Sequence, residues 1–274
     1  LGVPTCLEAC RRIVAVHRRY RMPATFFIVG RTLEANPAEF RELLDDPLFE
    51  VASHTYSHRM FRNHPICGPA ASLAEIEVEI RRGKAVVEEV FGRPCLGLRT
   101  GCGFTDGLQG APEILGLIAD AGYRYVSSQL WGPDFSLPIP LYPPFTYAED
   151  GFPGVREFPS HGWHENLLKG NNRIFGQGPA RVLLFPPLMP EAIPDRCIET
   201  PEEEFAINRI FLDRAVTESA AYVSLVWHPW SLMLFDPPMR MLELTFEYVQ
   251  SRGLRPTTFA RLDEELSAAT FANV

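Results

Sequence analysis

A chain of 274 residues is long enough for one substantial α/β domain with a buried core. With 46% hydrophobic and 22% charged residues its composition is that of an ordinary globular protein. No apolar run reaches the roughly 18 residues that cross a bilayer, and a net charge of -8 argues against a sequence-independent nucleic-acid binder, which would need to neutralise phosphates.

The chain opens on Leu1 with no basic-then-apolar leader. A helical pattern over about residues 5–21 leads into the apolar run Ala24-Thr-Phe-Phe-Ile-Val-Gly30, a buried strand by its length and its β-branched and aromatic content. A helix over about 37–46 precedes a short strand, Phe49–Ser53. Ser72 to Phe91 reads as a long amphipathic helix with i,i+4 charge pairs, stopped by Gly92-Arg-Pro94, and Cys95–Leu98 follows as a strand. Next come a helix over about 112–121 with Gly122 closing it, and a strand Tyr123–Ser127. A strand at 181–185, a helix at 201–219, a strand at 221–227, a helix at 238–251, a short strand at 254–257 and a last helix complete the pattern. Such alternation predicts a mostly parallel sheet, and about seven units favour a (β/α) barrel over an open sheet. Gly132 to Gly178 breaks the rhythm with Pro, Gly and aromatic residues; it is read as an insertion that shapes a cleft or makes an oligomer contact. No linker marks a second domain, so residues 1–274 are taken as one domain. The six cysteines lack zinc-knuckle or redox spacing and read as small reduced core residues of a cytoplasmic protein.

The unusual polar residues fall at strand ends, which a parallel barrel brings to one rim. His54 and His58, in Ser53-His-Thr-Tyr-Ser-His58, follow one strand; four apart on a helical turn, they can offer two imidazoles to one cation, or else be surface or capping histidines. Arg99 follows another strand beside glycines that permit close backbone approach, with a surface ion pair as the alternative. Trp131 lies just past a third strand. His228 ends a fourth between Trp227 and Trp230, a water-poor setting that suits a general acid, though a hydrogen-bonded core histidine would look the same. His161, Trp163 and His164 lie in the insertion, where they can line the cleft and contact substrate.

In these residues the chain resembles the polysaccharide deacetylase family (NodB homology, carbohydrate esterase 4). Ser53-His-Thr-Tyr-Ser-His58 is similar to the family's H-[ST]-x-x-H metal motif, and Ala24–Gly30 resembles its second core strand. Arg99-Thr-Gly-Cys-Gly103 is a variant of R-x-P-[YF]-G, with Gly101 in place of proline and Cys102 in place of the aromatic; Leu225-Val-Trp-His228 is similar to L-x-x-H. Tyr123 to Trp131 stands where the family has a D-x-x-W-type motif and keeps the aromatic.

The resemblance implies a distorted (β/α) barrel and a metal-dependent amidase or deacetylase acting on a carbon–nitrogen bond other than a peptide bond. His54 and His58 become metal ligands, Arg99 positions a catalytic carboxylate, and His228 protonates the leaving group. The third ligand, an Asp on the first strand, is expected just upstream of Leu1, so that strand is expected to be missing from the chain. One divalent metal is implied; His-His-carboxylate suits zinc, and also cobalt, nickel or iron. The expected substrate is an N-acetylated sugar, with Trp131, His161, Trp163, His164 and Trp227 as its contacts. Two other readings stay open: a hydrolase of small cyclic amides, like the allantoinase branch, and a non-catalytic barrel that binds sugar or metal.

Overall fold

Helices and strands alternate through residues 3–169 and 183–272, which the computed structural model describes. Helix α1 (Val3–Tyr20) leads to strand β1 (Ala24–Ile28), helices α2 (Gly30–Ala35) and α3 (Pro37–Leu44), and strand β2 (Phe49–Ser53). Helix α4 (Leu73–Phe91) precedes β3 (Gly97–Phe104), and α5 (Pro112–Asp120) precedes β4 (Tyr125–Gln129). Short strands β5 (Ser136–Leu137), β6 (Phe145–Tyr147), β7 (Phe152–Glu157) and β8 (Leu183–Leu184) follow. Helices α6 (Pro201–Thr217), α7 (Pro229–Phe235), α8 (Arg240–Ser251) and α9 (Phe259–Ala272) close the described chain. None of the described helices is long and apolar enough to cross a membrane.

Local signals account for these boundaries. Ser72 and Glu75 form a reciprocal capping box at the start of α4, and Gly92 ends that helix in the left-handed region at φ 64°. Ile76, Ile80 and Val87 recur at helical spacing and are buried. His17, Arg18 and Arg19 occupy the last turn of α1, where the helix dipole favours cations.

The chain divides into two compact units. One consists of Arg21–Gln129, Pro144–Phe158 and Pro256–Val274. It carries a six-stranded sheet in the order β1-β2-β3-β4-β7-β6. The pairs from β1 through β4 to β7 are parallel, and β6 returns antiparallel along β7. Leu98, Tyr125 and Val126 are fully buried, as in a parallel sheet covered on both faces. Helix α9 packs there through Phe259, whose ring stacks on Phe158 at 5.0 Å. Glu50 anchors its start: the carboxylate accepts from Thr25 Oγ1 at 2.8 Å, from the Ala260 amide at 2.9 Å and from the Tyr125 hydroxyl.

The other unit consists of Leu1–Tyr20, Leu130–Pro143 and Pro159–Arg255. In it α1 packs on α7 and α8, and α6 packs on α8. Its core gathers Trp131, Leu137, Ile139, Trp163, Leu168 and Phe211, and β5 pairs parallel with β8.

The mostly parallel α/β class agrees with the sequence pattern, while several elements differ from it. The segment 132–178 is no plain loop: it supplies β6 and β7 to the large sheet and β5 to the second unit. Its runs are short and interrupted by Pro and Gly, which hid them; residues 170–178 lie outside the described residues. Of the strand expected at 181–185, Leu183–Leu184 is described. Among the described residues, the strand expected at 221–227 keeps a single ladder bridge, Val226 to His164. Beside it, side chains take two of the strand's amides, Ser224's donating to His161 Nδ1 at 3.0 Å and His228's to Glu165 Oε1 at 3.0 Å, while the His161 amide donates to Ser224 O at 2.8 Å. Residues 254–257 pair with no strand among the described residues; Pro256, lacking an N–H, cannot serve a ladder there. The expected first strand would precede Leu1 and so lies outside the described residues.

The reading of six reduced cysteines also needs correction. Cys67 and Cys102 form a disulfide across 35 residues, while Cys6, Cys10, Cys95 and Cys197 are free. Nothing in so wide a spacing announces the pairing, which depends on two loops meeting.

Candidate functional site

The His54–His58 segment leaves the end of β2 in the sheet unit. The His54 amide donates to Ile28 O at 2.9 Å, and the amides of Gly30 and Arg31 donate to Thr55 O and Tyr56 O at 2.9 and 2.8 Å. Thr55 and His58 sit in the left-handed region, at φ 60° and 66°, so the expected helical turn is replaced by an irregular one. The His58 amide donates to Thr55 Oγ1 at 2.9 Å. Buried Glu79, from α4, accepts the Ser57 amide at 2.6 Å and the Ser57 hydroxyl. The two imidazoles nevertheless meet, with ring centroids 4.7 Å apart and planes at 85°. His54 Nδ1 lies 3.0 Å from Arg99 O. A carbonyl can only accept, so Nδ1 carries the proton and Nε2 carries the lone pair. A carbonyl-anchored imidazole of this kind is how proteins orient a metal-binding histidine.

Arg99 is buried on β3. Its Nη2 donates to Ser127 Oγ at 3.0 Å, Ser127 passes a hydrogen bond to Phe158 O at 2.8 Å, and the guanidinium lies 4.3 Å over the Phe27 ring. The two departures from the family pattern beside it have a local reason. A Cβ on Gly101 would sit 3.2 Å from both the His58 and Arg59 carbonyls and 2.8 Å from Met60 Cε, so the turn that follows His58 packs into the space a side chain would need. Cys102, at φ 57°, is the residue bonded to Cys67. Buried His64 shapes the loop that carries Cys67, its Nδ1 accepting the amides of Ile66 and Cys67 at 3.1 and 3.0 Å; burial holds its pKa down to about 4.

His228 belongs to the other unit, at the start of α7. Glu165 grips it twice, through the backbone amide and through Nδ1, each at 3.0 Å. Burial by itself would raise the Glu165 carboxyl, but the charge and hydrogen bonds of His228, with Lys169 behind, outweigh it and bring it down to about 2. An ionised Glu165 fixes the proton on His228 Nδ1. Trp230 lies 5.8 Å from the imidazole.

The substrate contacts expected in the same unit have mixed fates. His161 is fully buried; its Nδ1 accepts the Ser224 amide and its Nε2 donates to Tyr142 O at 2.9 Å. Burial keeps it neutral, with a pKa lowered to about 4. Trp163 is buried too and donates to Ala192 O at 2.8 Å. These two serve the core, and the substrate contact expected of them is not what their burial supports. Trp131 is buried against His164, with ring centroids 4.7 Å apart, and His164 Nε2 donates to Leu130 O at 2.6 Å. His164 and Trp227 keep partial exposure.

Glu79 and Glu165 escaped the sequence reading. Glu79 was findable, since it interrupts the apolar stripe Ile76-Ile80-Gly83 of α4 with a charge; Glu165 had only its place after His164 as a signal.

Among the described residues, no group of three or more His, Cys, Asp or Glu side chains is arranged to hold a metal ion. The donor chemistry of the anchored His54–His58 pair fits two positions around a divalent cation, and a third, anionic donor would complete the set.

Residues 4–126 match the family model described as polysaccharide deacetylase. A structure assigned to the polysaccharide deacetylases from Mycobacterium smegmatis shares the fold at a TM-score of 0.67 and 19% identity, over 97% of this chain and 79% of that one. The Puue allantoinase aligns at 0.63 and 16% identity, over 94% and 71% of the two chains. A polysaccharide deacetylase structure from Pseudomonas aeruginosa PAO1 aligns at 0.61 and 17%, over 93% and 71%. No curated protein matches the chain. Residues 4–126 are thus similar to the polysaccharide deacetylase family, and the α/β fold is shared with solved structures assigned to it.

Proposed function

We propose that this chain is a metal-dependent hydrolase that removes the acyl group from an N-acetylated sugar. The observation that carries the reading is the carbonyl-anchored His54–His58 pair, which falls inside the segment matching the deacetylase model. His54, through Nε2, and His58 would hold one divalent cation, with an Asp upstream of Leu1 as the third donor; zinc suits such a set, as do cobalt, nickel and iron. When bound, the cation supplies Lewis acidity toward the acyl carbonyl and the water that attacks it.

The chain's own residues do the rest. Arg99 presents a guanidinium immobilised by Ser127 and Phe27, able to orient a carboxylate that takes a proton from water. His228, with Nδ1–H committed to Glu165, keeps Nε2 as the nitrogen that delivers a proton to the departing amine. Ionised Glu165 stabilises the imidazolium that must form before that delivery. Trp227 and His164 are the aromatic faces offered to substrate. The Cys67–Cys102 disulfide favours an oxidising compartment over the cytoplasm expected from the cysteine pattern.

The test is an assay for released amine on chitin-type oligosaccharides and, in parallel, on small cyclic amides, using protein that carries the upstream residues. Turnover of the oligosaccharide is expected, and His228→Ala should lower kcat by about a hundredfold or more with metal content unchanged. Turnover of cyclic amides alone would move the chain to the allantoinase-like substrate class. Metal binding with no turnover of either would support a non-catalytic barrel.

A further inference from the structure

The cluster behind His228 runs deeper than one carboxylate. Lys169 Nζ lies 3.9 Å from Glu165 Oε1 and 3.3 Å from Glu204 Oε1, and donates to Ser231 Oγ at 3.1 Å. The ammonium also sits 5.1 Å over the Phe235 ring. Glu204 comes from the buried face of α6 with 0% of its surface exposed, and neither of its oxygens makes a hydrogen bond among the described residues. Among the described residues its one close counter-charge is Lys169, and burial pushes its pKa up to about 7 against that pull. Apolar side chains would fill such a space at lower cost than buried charges, so retaining the charges calls for a role beyond packing.

We infer that Lys169 and Glu204 are positioning residues for His228: a buried Glu204–Lys169–Glu165 row sets the charge that Glu165 presents to the imidazole. Lys169 is shared between two carboxylates. Its pull on Glu165 is full when Glu204 is neutral and weaker when Glu204 is ionised, so the charge on Glu204 reaches the ring through Lys169. Among the described residues, the charged groups that meet here are Glu165 and Lys169 from the 165–169 turn, Glu204 from α6, and Asp236 at the end of α7, whose carboxylate accepts the Met241 amide at 2.7 Å. The catalytic consequence rests on His228 being the proton donor; the electrostatic coupling itself does not.

Ring 1H–15N NMR on the whole chain tests it without substrate or metal, with His228→Gln assigning the signal. In Glu204→Gln the pH at which the His228 ring takes its second proton should fall, because Lys169 then bears wholly on Glu165. In Lys169→Met it should rise, and the double variant should match Lys169→Met, because Glu204 then has no route to the ring. Lost packing cannot produce opposite signs. Shifts of one sign in both single variants would overturn the proposal. If Lys169→Met fails to fold by near-ultraviolet circular dichroism, Glu204→Gln decides alone, and an unmoved midpoint overturns it. The same shifts should appear in the pH profile of kcat/KM. NMR shifts with no kinetic counterpart would support the charge row and count against His228 as the acid.

Discussion

An imidazole whose two nitrogens are both engaged by backbone groups can hold only one proton, and His161 is such a case. Protonating Nδ1 would break its bond from the Ser224 amide and leave a charge fully buried. Because the folded pKa is depressed from 6.5 to about 4, the stability this residue contributes is fully present above about pH 6.5 and lost as pH falls toward 4. A shift of that size corresponds to about 3 kcal/mol. Denaturant unfolding at pH 7 and at pH 4.5 should show the loss, and His161→Gln, less stable at pH 7, should lose less between the two. An equal loss in both proteins would mean that His161 is not the titrating group. At this scale spacing signalled proximity where the two residues share one turn, as for His54 and His58, whose rings lie 4.7 Å apart. The sequence was unreadable where a residue's partner arrives from elsewhere in the chain: nothing beside His161 announces that Ser224 and Tyr142 will take both its nitrogens.

At the scale of elements, α4 does more than cover the sheet. Its Gly83 lies against the turn that leads to the histidines, where a Cβ would come within 2.6 Å of Ser53 Oγ and 2.9 Å of the Thr55 carbonyl carbon. The second of these is backbone and cannot rotate away, so the helix or the turn must move. Gly83→Ala gains helix propensity in the abstract, yet overpacking here should destabilise by about 1–3 kcal/mol and weaken metal binding by displacing His54. Thermal unfolding together with a metal titration would check this; a variant as stable and as tight-binding as wild type would show that α4 does not brace the turn. The helix itself was legible, with its capping box, apolar stripe and stop signal all local. The reason for a glycine in its middle was not, because that depends on the approach of a segment some thirty positions away. The strand expected at 221–227 taught the converse lesson: its residues are strand-like, but side chains of His161 and Glu165 take the place of backbone acceptors.

For the whole molecule, alternating elements indicated a mostly parallel α/β fold, and the sheet order together with the solved relatives bears that class out. The division into two units was not legible, since no linker composition marks where the chain passes between Gln129 and Leu130 or between Phe158 and Pro159. The proposed function stands on His54 and His58 as metal ligands. Isothermal titration of zinc into metal-free protein carrying the upstream residues, with metal content read by atomic emission, tests it most directly. Wild type should bind one cation per chain, and His54→Ala should lose that binding with the circular dichroism spectrum unchanged. A folded His54→Ala protein that still binds one equivalent with wild-type affinity would contradict it.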